Sequence, residues 1–137
     1  MFFYFDYSKL KTKSIVYVDL IGNLNDRLEF QSFTNQWLDL YKLKTNFIFI
    51  FNTDKVEFVH PKFCLYMALF IYRLKQQANH YLKMSIFIIK NEYIKQLLYY
   101  IFYLQSPISD IYITSDISNI NNILDNKLDD EIIHITP

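Results

Sequence analysis

The stretch that decides the fold is Phe47-Ile48-Phe49-Ile50-Phe51, where apolar residues follow one another without a polar break. A strand with one wet face alternates apolar and polar residues, whereas a strand covered on both faces is apolar throughout. Met84–Ile89 is apolar except for Ser85 and has the same character. Both segments are therefore predicted to be central strands of a sheet that is covered on both faces.

The segments on either side alternate between strand and helix patterns. Gly22 closes one strand and is the only glycine in the chain, so it is predicted to hold a backbone angle that other residues resist. Asn52–Lys55 is predicted to interrupt the third strand, which resumes over Val56–Val59. The predicted strands are Phe2–Tyr7, Ser14–Ile21, Phe47–Phe51, Met84–Ile89 and Ile111–Ile113.

The predicted helices are marked by apolar residues at three- and four-residue steps. The first follows Asn25 or Asp26, with Glu29 as the partner of Asp26 in a capping box. Pro61 suits the first turn of the second helix. The helices are expected to span about 26–41, 61 to about 82, 92–104, and from Asp116 or Ser118 to Leu124.

This alternation predicts an α/β fold. We expect a mixed, largely parallel sheet of four to five strands with about four helices, in one domain over residues 1–125. Residues 126–137 form an acidic and then strand-like C-terminal tail, containing Asp129–Glu131 and Ile132–Ile135.

The charge balance argues against a nucleic-acid partner. Fourteen basic and fourteen acidic residues cancel, while nucleic-acid binding needs a concentrated basic surface. The nearest basic cluster is Lys9, Lys11 and Lys13, which is interpreted as a solvated strand edge.

The aromatic content of 19% is more than one small core can easily bury, so some aromatic side chains are expected on the surface. Exposed apolar patches usually mark contact sites.

Other sequence features bear on the cellular setting. Cys64 is the only cysteine, which excludes an intrachain disulfide. The N-terminus lacks the basic region of a signal peptide, and the longest apolar run, Phe63–Tyr72, is too short for a transmembrane segment. We therefore expect a soluble, cytoplasmic protein.

The excess of Ile, Asn, Lys, Phe and Tyr is typical of an A/T-rich genome, such as a low-GC microbe or a large DNA virus. Codon bias by itself therefore raises the aromatic content.

The order β-β-α-β-α-β-α-β-α resembles the STAS family, the fold of bacterial anti-sigma-factor antagonists and of transporter-attached domains. Val18–Leu24 resembles the family's second strand with its glycine-containing turn. Phe47–Phe51 with Val56–Val59 resembles the third strand and the loop after it. Met84–Ile89 is similar to the following strand, and Ser106–Ser118 to the last strand and its short terminal helix.

One departure from the family pattern concerns regulation. The resemblance implies an Asp followed by a phosphorylatable Ser or Thr in the loop entering the second helix, where this chain has His60-Pro61-Lys62. We therefore expect no phospho-switch. What the resemblance still implies is a docking surface at this helix N-terminus.

No catalytic, cofactor or metal site is predicted. Cys64 lies one helical turn from His60 and could pair with it as nucleophile and base, but a cysteine in an apolar helix is usually a buried core residue. His60, His80 and His134 lie in different segments and have no metal-ligand spacing. Neither Asp54 with Glu57 nor the acidic tail has apolar surroundings that would separate two carboxyl pKa values.

Two helices carry more apolar residues than one buried face needs. In residues 63–74 the core face is Phe63, Met67, Phe70, Ile71 and Leu74, and in residues 93–104 it is Ile94, Leu97, Leu98, Ile101 and Leu104. The apolar residues left over are either a second packing layer or a contact surface. The predicted partner-binding residues are His60, Pro61, Lys62, Leu65, Leu69, Tyr72, Tyr99, Phe102 and Tyr103.

We therefore expect a non-catalytic protein–protein interaction module that binds a partner or itself through its second and third helices. The first alternative is a structural or assembly component, for example of a large DNA virus particle, with obligate aromatic interfaces. The second is a small enzyme or nucleotide-binding domain, for which the single glycine leaves no phosphate-binding loop.

Overall fold

The computed structural model describes all 137 residues and contains six strands and five helices. The sheet has the order β1-β2-β3-β4-β5-β6, so each strand lies beside its neighbour in the sequence. The strands are β1 (Phe3–Asp6), β2 (Ile15–Leu24), β3 (Phe47–Val59), β4 (Leu82–Ile88), β5 (Asp110–Thr114) and β6 (Ile133–Ile135). The helices are α1 (Leu10–Lys13), α2 (Arg27–Lys42), α3 (Lys62–Leu74), α4 (Glu92–Leu104) and α5 (Asn119–Leu124).

The sheet is mixed. Strands β2 to β5 are parallel, and both edge strands, β1 and β6, are antiparallel to their neighbours. The α/β class is confirmed, but the expected four to five strands become six, because the strand-like segment near the C-terminus pairs with β5. The expected four helices become five, because a single turn, α1, connects β1 to β2. Lys9, Lys11 and Lys13 lie in and beside this exposed turn, so their interpretation as a strand edge is wrong.

One face of the sheet packs against α2, α3 and α4. Phe47, Phe49 and Phe51 alternate along β3 and point into this layer, where they meet Phe33 and Trp37 of α2. The ring centroids of Trp37 and Phe49 are 5.0 Å apart in an edge-to-face arrangement, which aromatic pairs prefer. The phenylalanines of the chain are thus concentrated between the sheet and the helices.

The opposite face of the sheet is covered mainly by α5 and the segment after it. Ile50, Ile86 and Tyr112 belong to this face and pack with Ile123 and Ile132 in a separate cluster. Because Ile48 and Ile50 alternate with Phe47 and Phe49, β3 is apolar on both faces, as its sequence predicts.

Strand β3 does not stop at Asn52–Lys55. Instead it continues to Val59 with two register irregularities against β2, one between Asp19 and Ile21 and one at Gly22. The polar residues of β3 form a β-bulge, which accommodates extra residues without ending the ladder. Gly22 has φ +80°, and its predicted unusual backbone angle is confirmed.

Helix α3 ends at Leu74 rather than near Leu82. The apolar spacing stops there, and the N–H groups of Gln76 and Gln77 donate to the carbonyls three residues earlier, as in a tightened last turn. Leu82 instead begins β4 and pairs with Phe47.

The predicted bounds of α4 are confirmed. The Asn91 side chain caps the start of this helix by accepting a hydrogen bond from the Tyr93 N–H at 2.7 Å. The cap of α2 is Asp26, one of the two predicted residues, and its side chain accepts from the Leu28 N–H at 2.9 Å. The predicted capping box is wrong, because Glu29 makes no hydrogen bond back to Asp26.

Candidate functional site

The outer stripe of α3 is apolar and exposed. Leu65, Leu69 and Tyr72 follow one another at steps of four and three residues, so they share one face of the helix. Each of them is about half exposed. The opposite stripe, which includes Phe63, Ile71 and Leu74, is buried against the sheet, so the inner and outer faces of α3 have the positions that the sequence predicts.

The outer face of α4 differs from the prediction. Tyr103 is 85% exposed, whereas Tyr99 and Phe102 are partly buried and pack against the cluster that α4 forms with β4 and β5. Phe102 therefore points towards the sheet rather than outward. Leu104, which is predicted to lie in the core stripe, is 38% exposed. The difference arises because β5 and β6 extend the sheet beneath α4 and bring one flank of the helix inward.

Three residues of α4 that the prediction placed elsewhere or passed over are exposed: Tyr93, Tyr100 and Leu104. They lie seven and four residues apart and therefore form one stripe. The Tyr93 hydroxyl donates to the carbonyl of Val59 at 2.9 Å, which places the first residue of this stripe beside the end of β3, just before α3. The seven-residue repeat is a sequence signal that could have found them.

We refer to the exposed apolar residues of these two helices as the α3–α4 surface, leaving out Tyr93 because its hydroxyl is already bonded to the Val59 carbonyl. The two helices pack side by side, and none of the six side chains carries a charge. The α3–α4 surface consists of Leu65, Leu69, Tyr72, Tyr100, Tyr103 and Leu104.

Polar contacts hold the two helices together at both ends of this surface. At the C-terminal ends, the ammonium group of Lys75 donates to Gln105 Oε1 at 3.0 Å and to Ser106 Oγ at 2.6 Å. Nearer the N-terminal ends, the Cys64 thiol donates to the Leu97 carbonyl at 3.7 Å. The relative position of α3 and α4 is therefore set by side chains that lie outside the exposed stripe.

His60, Pro61 and Lys62 lie at the start of α3, and all of them are exposed. His60 Nδ1 accepts a hydrogen bond from the Lys62 N–H at 3.1 Å, so the imidazole takes the place of the Ser, Thr or Asp that usually caps a helix. Pro61 is the N-cap residue and has helical dihedral angles. The Lys62 ammonium lies 5.4 Å from the centroid of the Phe63 ring, which is within the range of a cation–π interaction.

Cys64 and His60 do not form a nucleophile–base pair in this arrangement. The thiol is directed at a backbone carbonyl of α4, and His60 Nδ1 is occupied by the helix cap. Burial raises the pKa of the Cys64 thiol, which is the opposite of what an activated nucleophile requires.

The other two histidines and Asp54 have local partners. His80 Nδ1 lies 3.4 Å from the Tyr41 hydroxyl, and His134 Nε2 lies 2.9 Å from Asp110 Oδ1. Asp54 pairs with Lys90 across 3.5 Å. No group of three or more His, Cys, Asp or Glu side chains is arranged to hold a metal ion.

The longest helix, α2, has 16 residues, and none of the helices combines the length and apolarity that a bilayer crossing requires. The sequence matches no family model, and neither the curated proteins nor the solved structures contain a significant match to this chain.

Proposed function

We propose that this protein is a non-catalytic interaction module and that the α3–α4 surface packs against another protein chain. The observation that supports the proposal is the grouping of six exposed large apolar side chains on the outer stripes of two neighbouring helices. Single exposed apolar residues are ordinary on protein surfaces, but a contiguous group is typical of contact sites.

The chemistry of the surface indicates what kind of partner it suits. Three of its six residues are tyrosines, which are enriched where interfaces have their strongest contacts. The charged residues of these helices, Lys62, Arg73, Glu92 and Lys95, lie in the first or last turn of their helix. An apolar partner face with hydrogen-bond acceptors for the tyrosine hydroxyls would complement this surface, and a second copy of this chain is one such face.

A STAS-like relationship is part of the proposal. Its support is the order of the elements from β1 to α5. When the single turn α1 is left out, this order is β-β-α-β-α-β-α-β-α, the order on which the resemblance to the STAS family rests. The segment His60-Pro61-Lys62 lies at the start of α3, where the resemblance implies a docking surface. It offers no hydroxyl, so the proposed module works without a phosphorylation switch.

The proposal is tested by removing the apolar contacts without touching the core. Leu69→Ser and Tyr103→Ser together alter one residue on each helix, and the matched control is Leu28→Ser, because Leu28 is 71% exposed on α2. Sedimentation velocity over a range of concentrations measures self-association, and capture by the immobilised proteins compares bound partners.

We expect the double variant to lose at least 10-fold in affinity for the partner or for the second copy, with no change in the control. Equal binding by the wild type, the double variant and the control would refute the proposed surface. A wild type that is an oligomer at every concentration would favour the alternative of a permanent assembly component, since such interfaces have no separate monomer.

A further inference from the structure

A cavity of about 160 Å³ lies between the sheet and the helices α2, α3 and α4. Of the 28 residues that line it, 24 are hydrophobic. Close-packed protein interiors contain few voids larger than a water molecule, so a void of this volume is unusual in a chain of this length. Large rigid rings such as those of Phe33 and Phe63 line the cavity, and such rings have too few rotatable bonds to fill the remaining space.

The volume is enough for a small molecule. An apolar cavity of roughly 150 Å³ engineered into another protein stays free of water and binds benzene. Water gains little in such a space because it needs two to four polar partners. The cavity of this chain is comparable in volume and in the apolar character of its walls, and it is partly open to the surface.

The polar groups in the walls limit the chemistry of an occupant. The cavity is lined by no Asp, Glu, Lys, Arg or His side chain, so nothing would compensate a charged ligand. The Thr53 hydroxyl is already used, because it donates to the Ile88 carbonyl at 2.8 Å. Two buried polar atoms of the lining residues have no hydrogen-bond partner, namely Trp37 Nε1 and Ser109 Oγ.

We propose that this cavity is a binding site for a small uncharged apolar molecule, aromatic or aliphatic, of about six to eight non-hydrogen atoms. The site is separate from the α3–α4 surface, since it lies on the inner faces of the same helices. The unpartnered Ser109 hydroxyl allows the ligand to carry a hydroxyl or carbonyl group in addition to its hydrocarbon part.

The single tryptophan of the chain provides the measurement. Trp37 is 5% exposed and lines the cavity, so an occupant changes the surroundings of its ring. The probes are toluene and phenol, with benzoate as a charged control of similar size. Trp37 fluorescence, excited at the long-wavelength edge of the tryptophan absorption band, reports binding. The Tm of thermal unfolding reports stabilisation of the protein by the probe.

We expect toluene and phenol to shift Trp37 fluorescence saturably and to raise Tm by roughly 3–6 °C at ten times their Kd. Benzoate should do neither. A wild-type protein that shows no saturable response to either neutral probe would overturn the proposal.

Two variants locate the binding. Ser109→Ile places a larger apolar side chain in the cavity, and Ser115→Ile makes the same change at an exposed residue that does not line it. We expect Ser109→Ile to weaken toluene binding at least 10-fold and Ser115→Ile to leave it unchanged. Equal affinity in both variants would show that the probe binds elsewhere.

A smaller filling change keeps the test valid if Ser109→Ile does not fold, as judged by circular dichroism. Val56→Leu adds one methylene at another residue of the cavity wall, and it should also weaken toluene binding. Unchanged affinity in folded Val56→Leu protein would count against the site.

Discussion

Replacing Gly22 by alanine is expected to lower the free energy of unfolding by about 1 kcal/mol, for a purely conformational reason. Gly22 has φ +80°, a backbone conformation that residues with a Cβ atom rarely adopt. A Cβ built at this position meets no heavy atom within 4 Å. The substitution therefore creates no steric clash, and its effect isolates the cost of the backbone angle.

The magnitude follows from two opposing effects. Holding an L-residue in the left-handed region costs about 1–2 kcal/mol, whereas alanine restricts the unfolded chain more than glycine does and recovers about 0.4–1 kcal/mol. The net loss is about 1 kcal/mol and corresponds to a Tm decrease of roughly 3–5 °C for a chain of this length. Gly22→Asn should cost less, because asparagine tolerates this region, and Gly22→Val should cost more.

Urea unfolding followed by circular dichroism measures these differences. The control is Asn23→Ala, which changes the exposed neighbouring residue, whose φ is not positive. Unchanged stability in both Gly22→Ala and Gly22→Val would refute the positive φ. A loss of more than about 3 kcal/mol would refute the open space around the Cβ position, since only overpacking would add that much.

Four further predictions concern the core, a helix cap, the thiol and the last strand. Phe33→Ala should cost about 3–5 kcal/mol in urea unfolding, because its ring lies within 6.4 Å of five other aromatic rings; a loss below about 1 kcal/mol would contradict this packing. Asn91→Ala removes the cap of α4 and should cost about 1 kcal/mol, and an unchanged unfolding midpoint would show that the cap contributes nothing. Native Cys64 should react slowly with iodoacetamide and quickly in urea, and equal rates in native and unfolded protein would contradict its burial. Because burial raises the pKa of the thiol, its contribution to stability is present below the unfolded thiol pKa and is lost as the pH rises through the folded value. His134→Ala breaks a partly exposed pair with Asp110 and should cost no more than about 1 kcal/mol, so a larger loss would indicate that the stacking of the His134 ring on Tyr112, with centroids 4.4 Å apart, dominates.

The parts of the fold that could be predicted from the sequence are those with strong local signals. Helix α4 has a capping asparagine at one end, a proline two residues after Gln105 at the other, and regular apolar spacing between them. Asp26 marks the start of α2 in the same way. Gly22 was predictable because glycine is absent elsewhere, so its one occurrence indicates a backbone requirement.

The errors arose where tertiary pairing overrides local pattern. Asn52–Lys55 has the composition of a turn, but β2 continues alongside and holds it in a bulged strand. The strand-like character of Ile133–Ile135 is predictable, but its place in the sheet is not, because so short a segment becomes a strand only where β5 offers a free edge. The inward tilt of Phe102 has the same origin, because the position of the last two strands decides which flank of α4 is covered.

The strand order β1-β2-β3-β4-β5-β6 has a consequence for how the chain folds as it is synthesised. No strand is inserted between two that precede it, so each new strand adds to an edge that already exists. Domains begin to fold while the C-terminal part is still being made. In this chain every parallel crossover can be completed as soon as its second strand leaves the ribosome, and we expect structure to grow in one direction, from β1 towards β6.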